Sequence, residues 1–303
     1  MNLSDRKIML YRYRTIGEKV SAGVDFIRMN SKALLRLSLY ALLPVAMVHA
    51  FVLYSVYHLH HEFSFIDWFT GSQMVPYALA FFIGAIFVVT FTLTLVKEYQ
   101  DGGSARLSTM TMGELYLGML RISWRVALAL VFDAVVGGIV GLIGTGLAFI
   151  IIGIPILPMA TAMTLGFLAM MPVVFVLYRD GRVSFGGAIA KWWRFSWKQG
   201  LRLMGLVFML IFVLILMQSI VDLPFYLVIS LCDDLFITKP GEAVGSQHIL
   251  LSFALYLWNV LRCYWCYLTF VFGMLVITYH YGSVADYEED ASLRVDIRKF
   301  DEL

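Results

Sequence analysis

Three ionisable residues, Asp133, Asp222 and Arg262, lie inside long apolar stretches of the chain. A charged side chain is costly inside a bilayer, so such residues usually face a partner or a wet cavity. By position along helical segments, Arg262 is able to pair with either Asp133 or Asp222. Two interpretations stay open: ion pairs that lock helices together, or a path for a substrate or proton.

A second group of potential ligands follows the first apolar stretch: His58, His60, His61 and Glu62. Imidazole and carboxylate groups bind transition metals, and clustered histidines also respond to pH. Four ligands this close in sequence cannot all reach one ion without a bent backbone, and no second cluster completes the set. We therefore predict no metal and no cofactor, with a membrane-embedded metal-dependent enzyme as an alternative.

Other catalytic signatures are weak or missing in the sequence. Cys263 and Cys266 have CxxC spacing but fall in the middle of an apolar stretch, where a reactive, low-pKa thiolate is not expected. The sequence has no phosphate-binding glycine loop, no HExxH motif and no nucleophile elbow. We predict a protein that is not an enzyme.

The elements that position these residues are six apolar stretches, each long enough to cross a bilayer core, which takes about 20 helical residues. They are 34–57, 74–96, 126–152, 154–178, 203–231 and 249–281. Hydrophobic residues make up 60% of the chain, and the mean hydropathy is +0.80, whereas soluble domains are about half apolar. The sequence predicts an all-α, polytopic integral membrane protein.

The basic residues predict its orientation. Of the 23 Lys and Arg residues, all but Lys239 and Arg262 lie in four clusters: before span one, after spans two and four, and after span six. The positive-inside rule places both termini and these loops in the cytoplasm. A net charge of +2 is too small to indicate nucleic acid, and basic residues beside spans attract anionic inner-leaflet lipid.

A short basic motif recurs before spans one, three and five, at 28–32, 121–125 and 194–198. Each copy ends an amphipathic stretch, and we predict three interfacial helices on the cytoplasmic face, over 17–32, 113–125 and 184–198. Basic residues four apart share a helix face. The predicted headgroup contacts are Arg28, Lys32, Arg121, Arg125, Arg194 and Lys198.

One interfacial helix plus one membrane hairpin gives a unit that would repeat over 17–96, 113–178 and 184–281, followed by a cytoplasmic tail, 282–303. Selection for topology alone is the other explanation of the motif. In the tail, the acidic run 288–290 is expected to be solvated. Alternating apolar residues at 293, 295 and 297 could dock a protein partner.

Span three contains Gly137, Gly141 and Gly144 at helical spacing. Small residues let helix backbones approach closely, so we predict tight helix packing at these positions. A flexible gating helix is the alternative interpretation.

Two motifs near the ends of the chain carry a family resemblance: Gly17-Glu18-Lys19 leading to Phe26-Ile27-Arg28-Met29-Asn30, and Tyr279-His280-Tyr281-Gly282-Ser283. With the six-span plan, they resemble uncharacterised bacterial inner-membrane proteins related to the membrane domain fused to glycerophosphodiester phosphodiesterases. The resemblance implies a multi-pass protein of the bacterial cytoplasmic membrane. The phosphodiesterase barrel of the fused proteins is missing from this sequence, so no catalytic residue carries over.

These observations predict a non-enzymatic membrane component that binds lipid or organises a partner complex. Transport of a small solute or lipid through Asp133, Asp222 and Arg262 is the alternative, because ionisable residues within spans often line such paths. The outer-loop metal enzyme is the second alternative.

Overall fold

The computed structural model of the 303-residue chain describes residues 7–59, 74–148, 157–178, 182–236 and 246–289. Every regular element in these ranges is a helix, which confirms the all-α prediction. The helices are α1 (Ile16–Ala41), α2 (Leu43–Leu59), α3 (Met74–Thr109), α4 (Met112–Ala148), α5 (Leu157–Leu177), α6 (Phe185–Lys198), α7 (Gly200–Phe236) and α8 (Ser246–Glu289).

Four helices in the described part of the chain are long and apolar enough to cross a membrane, within Val75–Thr109, Met112–Ile143, Gly200–Pro224 and Phe253–Glu289. A fifth candidate is the pair α1 and α2, which is bent by 51° at the break between them. A shorter apolar helix, Thr164–Leu177, lies in α5. The sequence predicts six spans, and the described helices provide four or five by length and composition.

The predicted interfacial segments differ in how they join the spans that follow. Segment 184–198 forms the separate helix α6, whose C-cap is Gln199. Segment 17–32 instead runs on through α1, with a kink at Asn30, where φ is −115° and ψ is 15°. Segment 113–125 is the beginning of α4 and continues into its apolar part. In α1 and α4, one helix therefore carries both the amphipathic and the apolar segment.

The three helices that contain these segments begin with similar caps. The Thr15 amide donates to Glu18 Oε2 over 2.7 Å, and the Glu18 amide lies 3.4 Å from Thr15 Oγ1. Thr111 and Glu114 form the same reciprocal pair over 2.8 and 3.3 Å. At α6, the Ser184 hydroxyl accepts a backbone amide from the first turn. Such caps satisfy amides that have no partner inside the helix.

The end of α3 is reshaped by Gly103, whose φ of 67° and ψ of −157° are rarely adopted by other residues. Beyond this break, Arg106 Nε lies 2.8 Å from Glu98 and its Nη1 lies 3.1 Å from Glu114. The guanidinium thereby joins the last turns of α3 to the first turn of α4.

Contacts divide the chain into two compact units. The first unit comprises Met1–Leu37, Val89–Phe212 and Val271–Leu303, and the second comprises Ser38–Val88 and Val213–Phe270. The largest fully buried side chains of the first unit are aromatic, among them Phe26, Tyr99 and Tyr279. The interior of the second unit contains polar pairs, such as His49 Nδ1 with the Tyr267 hydroxyl at 2.8 Å.

Candidate functional site

Segment 7–15, which precedes α1 and forms neither helix nor strand, packs against the end of α8 in the first unit. The Tyr13 amide donates to Asp286 Oδ2 over 3.0 Å, and the Arg14 amide donates to the Ser283 hydroxyl over 3.0 Å. Both acceptors lie on the last turns of α8. Two backbone groups that no helix or sheet satisfies therefore find side-chain partners.

The same segment is held from the side of α3. Gln100 accepts the Leu10 amide over 3.3 Å and donates its own amide to the Ile8 carbonyl over 3.0 Å. Across the segment, the backbone comes so close to α8 that a Cβ added at Gly282 would lie 2.2 Å from the Leu10 carbonyl oxygen. The segment is thus fixed between two helices.

A buried cation anchors this arrangement. Arg14 is 7% exposed and donates to the carbonyls of Leu10 at 3.2 Å and Arg12 at 3.3 Å. Its guanidinium lies 5.2 Å from the centre of the Tyr279 ring. Loss of solvation lowers the pKa of Arg14, although arginine stays protonated in proteins. The segment therefore folds around the guanidinium group of Arg14, which donates hydrogen bonds to the segment's own carbonyl groups.

The motifs near the two ends of the sequence, which begin at Gly17 and Tyr279, come together next to Arg14. Lys19 Nζ lies 3.0 Å from His280 Nδ1, and both side chains are buried. Among the described residues, His280 Nε2 and the Tyr279 hydroxyl have no hydrogen-bond partner. Lys19 of the first motif and His280 of the second therefore form a buried polar contact inside the first unit.

A cleft of about 670 Å³ opens between segment 7–14 and the first half of α1. Its wall carries basic, acidic and hydroxyl side chains: Lys7, Arg12, Arg14, Arg28, Glu18, Asp25, Ser21 and Ser104. Wall positions 18, 21, 25 and 28 recur every three or four residues, as expected for one face of a helix.

Some of these charges already have structural partners. Arg14 binds backbone carbonyls, Glu18 caps α1, and Lys7 Nζ donates to the Gln100 carbonyl. The side chains of Arg12 and Arg28 are exposed and make no hydrogen bond or ion pair within the described residues. The cleft therefore presents two guanidinium groups that are able to bind an anion.

The second basic motif lies on the surface of α4. Arg121 is exposed, as is Lys32 of the first motif. Arg125 is half-buried: it donates to the Phe175 carbonyl over 3.4 Å and lies 5.3 Å from the Trp124 ring centre. Of the motif's two basic residues, Arg121 is therefore the more accessible to a headgroup.

The third motif lies against Glu288 and Glu289 at the end of α8, whereas we expected the acidic run 288–290 to be solvated; residue 290 lies outside the described part of the chain. Glu288 lies 3.7 Å from Arg194 and also accepts from Lys198. Lys191 pairs with Glu289. The Glu288 side chain is only 8% exposed, because the packing of α8 beside α6 brings the opposite charges together.

Within the apolar helices, Asp222 and Arg262 pair. Arg262 Nε donates to Asp222 Oδ1 over 2.6 Å, and Gln218 donates to the same oxygen over 3.1 Å. Of the two partners that the sequence left open for Arg262, the structure brings Asp222 to it. Asp133 is buried, and its Oδ1 has no hydrogen-bond partner among the described residues.

The glycines of the third predicted span lie in α4. A Cβ at Gly137 would approach Leu168 to 3.0 Å, whereas one at Gly141 would meet no heavy atom within 4 Å. Gly144 belongs to the same helix, near its end. A closer approach occurs at Gly118, also in α4, where a Cβ would come within 2.7 Å of a threonine methyl group.

The side chains of the four potential metal ligands lie outside the described part of the structure. His60, His61 and Glu62 lie outside the described residues, as does the side chain of His58. Within the described part of the chain, no group of three or more His, Cys, Asp or Glu residues is arranged to hold a metal ion. The tail residues 290–303, including the predicted docking element, also lie outside it.

Sequence reasoning missed Arg12 and the docking of segment 7–15. The Thr-x-x-Glu sequences at 15–18 and 111–114 are recognisable start signals of helices and would have placed the beginnings of α1 and α4.

Comparison with known proteins identifies no family for the chain. No family model, no curated protein and no solved structure matches it.

Proposed function

We propose that this chain is a six-span protein of the bacterial cytoplasmic membrane whose basic face binds anionic lipid headgroups. In this proposal it organises lipid or a partner complex and catalyses no reaction. The observation that carries the proposal is the cleft, in which the side chains of Arg12 and Arg28 are exposed and make no hydrogen bond or ion pair among the described residues.

The contact between the two ends of the described chain supports six crossings. Tyr13 binds Asp286, so segment 7–15 and the end of α8 lie on the same side, and a chain with both ends on one side crosses an even number of times. Helices α3, α4, α7 and α8 contain four candidate spans. If the α1–α2 pair and α5 both cross, the total becomes six, and the positive-inside rule makes the shared side cytoplasmic.

Exposed aromatic side chains support contact with the membrane interface. Trp193 and Trp197 on α6 are 54% and 63% exposed and stack 5.6 Å apart. Trp124 on α4 is also exposed and follows Arg121 by three positions. Tryptophan favours the depth of the headgroups, where lysine and arginine meet phosphate.

The caps of the three amphipathic segments support the repeated unit. Thr111 precedes Arg121 by ten positions, and Ser184 precedes Arg194 by the same distance. Thr15 precedes Arg28 by thirteen positions, and the helix that contains both segments is kinked at Asn30. The repeats 17–96, 113–178 and 184–281 would thus share a capped helix start and a basic motif.

The proposal is tested by the lipid that the purified full-length protein retains. We expect mass spectrometry of the detergent-purified protein to detect anionic lipid, and charge reversal by Arg28→Glu, Arg121→Glu and Arg194→Glu together to remove it. The matched control is Arg182→Glu, which changes an exposed arginine outside the three motifs. Unchanged lipid retention in the triple variant, with its folding intact, contradicts the proposal.

Asp133 favours transport as a second candidate function. Its buried carboxylate oxygen without a described partner is of the type found in proton and substrate paths. In proteoliposomes, solute or lipid movement that Asp133→Asn abolishes while the fold is kept would support transport. Water-inaccessible Asp133 and no movement of any tested solute would count against it.

A further inference from the structure

We infer that the cleft beside α1 selects a phosphoethanolamine group, a phosphate ester that also carries a primary ammonium, over anionic headgroups in general. The inference rests on the proposed function and goes beyond it: it assigns to the cleft a headgroup that carries both charges, while the exposed basic residues outside the cleft bind anionic lipid. It depends on how positive and negative charges are distributed over the wall of the cleft.

Two arginines from different segments line the cleft. Arg12 belongs to the docked segment before α1, and Arg28 lies more than two turns into α1. Both are exposed, and neither side chain makes a hydrogen bond or ion pair among the described residues, although Arg12 acts electrostatically on Glu18. A guanidinium group presents a planar fork of donors that matches phosphate oxygens, so each arginine is able to bind a phosphate ester in the cleft.

The negative part of the wall is Asp25. It lies on the same helix face as Arg28, three positions away, yet the two side chains form no ion pair. The Ser21 hydroxyl donates to Asp25 Oδ2 over 3.3 Å, which leaves further acceptor sites on this carboxylate. Opposite charges that do not neutralise each other on one wall match a ligand that carries both charges.

The chemistry of the acceptors distinguishes between amines. A primary ammonium has three N–H donors, which the Asp25 carboxylate and a neighbouring hydroxyl are able to accept. The quaternary ammonium of phosphocholine has no N–H to donate, and a glycerol headgroup has no positive charge for Asp25. Glu18 is a weaker partner, because its carboxylate already accepts the Thr15 amide and hydroxyl over 2.7 and 3.0 Å.

The size and rigidity of the cleft suit a small polar ligand. Its volume of about 670 Å³ lies within the usual range of ligand pockets. The wall that carries Arg12 is held by Arg14 and Gln100 through several backbone hydrogen bonds. A wall that is ordered before binding reduces the entropy lost when the ligand binds.

The test is titration calorimetry of the purified full-length protein with three soluble probes: O-phosphoethanolamine, phosphocholine and glycerol 3-phosphate. We expect O-phosphoethanolamine to bind at least about tenfold more tightly than the other two, the effect of one charged hydrogen bond. Asp25→Asn should remove this preference and leave binding of glycerol 3-phosphate unchanged or tighter. Arg12→Ala and Arg28→Ala should weaken all three.

The matched control is Arg182→Ala, which removes an exposed cation outside the cleft and outside the three basic motifs and should change none of the affinities. Nanodiscs that contain phosphatidylethanolamine distinguish the two sources of the ligand. If they abolish binding of O-phosphoethanolamine, the ligand is a lipid headgroup; if they do not, it is a soluble phosphoethanolamine, and in both cases the inferred chemistry holds.

Equal affinities of the wild-type protein for O-phosphoethanolamine and glycerol 3-phosphate would overturn the inference, as would an unchanged preference in Asp25→Asn. Failure of the proposed function is distinguishable with the double variant Arg121→Glu and Arg194→Glu, which leaves Arg28 and the cleft unchanged: unchanged retention of anionic lipid in this variant contradicts the proposed function only. Loss of selectivity with normal retention refutes only the inference.

Discussion

Gly282→Ala is expected to lift the docked segment 7–15 from the end of α8. The added Cβ would lie 2.2 Å from the Leu10 carbonyl oxygen and 2.9 Å from its carbon. Both atoms belong to the backbone, so no rotation of a side chain relieves the contact. Either α8 or the segment must move by about an ångström to restore an ordinary van der Waals separation.

The cost follows from the hydrogen bonds that would be lost. The bond from the Tyr13 amide to the Asp286 carboxylate is worth about 1.5–3 kcal/mol, less here because it is exposed, and the bond from Arg14 to Ser283 about 0.5–1.5 kcal/mol. Alanine in place of a helical glycine returns about 1 kcal/mol. We expect a net loss of about 1–3 kcal/mol in the docking of the segment.

Hydrogen exchange at the Tyr13 and Arg14 amides measures this loss directly. A change of about 1–3 kcal/mol corresponds to exchange that is about 5-fold to 150-fold faster. The matched control is Gly113→Ala, because a Cβ there meets nothing within 4 Å and should leave exchange unchanged. Wild-type protection of both amides in Gly282→Ala would refute the described packing of the segment on α8.

Three further outcomes are expected. Glu288→Gln removes the partner of Arg194 and Lys198, so co-sedimentation with anionic vesicles should increase several-fold; equal binding would argue that these cations are not limiting. Asp222→Asn should lower the Tm of the detergent-solubilised protein, since it removes the carboxylate charge that Arg262 Nε binds over 2.6 Å. Adding Arg262→Met should recover part of that loss, and purely additive effects would indicate that the pair contributes no coupling energy. Metal analysis of the purified protein should find no stoichiometric transition metal, whereas one equivalent would favour the outer-loop enzyme.

The fold class was predictable because long apolar stretches have few alternatives to helices in a membrane. The pairing of Arg262 was partly predictable as well: charge and depth reduced its partners to Asp133 and Asp222. Choosing between them required the packing of the helices, since both aspartates satisfy the same constraint along the sequence.

The environment of the basic motifs was not predictable from their similar sequences. Arg28 lines an open cleft, whereas Arg194 faces Glu288. The partner of Arg194 is more than ninety positions away, and nothing in the local pattern indicates that α8 packs there. Segment 7–15 was missed for a related reason: an extended segment held by side chains of other helices has no hydrophobic period of its own.

The last turns of α8 contact both surfaces of the first unit to which we assign ligands by proposal, the cleft and the basic face of α6. Ser283 and Asp286 hold the segment that carries Arg12, while Glu288 and Glu289 hold the basic residues of α6. A ligand in the cleft that shifts this end of α8 would therefore also change how readily α6 exchanges its carboxylate partners for lipid phosphate. Thermodynamic reciprocity then requires lipid on α6 to alter affinity in the cleft by the same factor. Ligand binding in the cleft and lipid binding on α6 would then be thermodynamically linked through the end of α8.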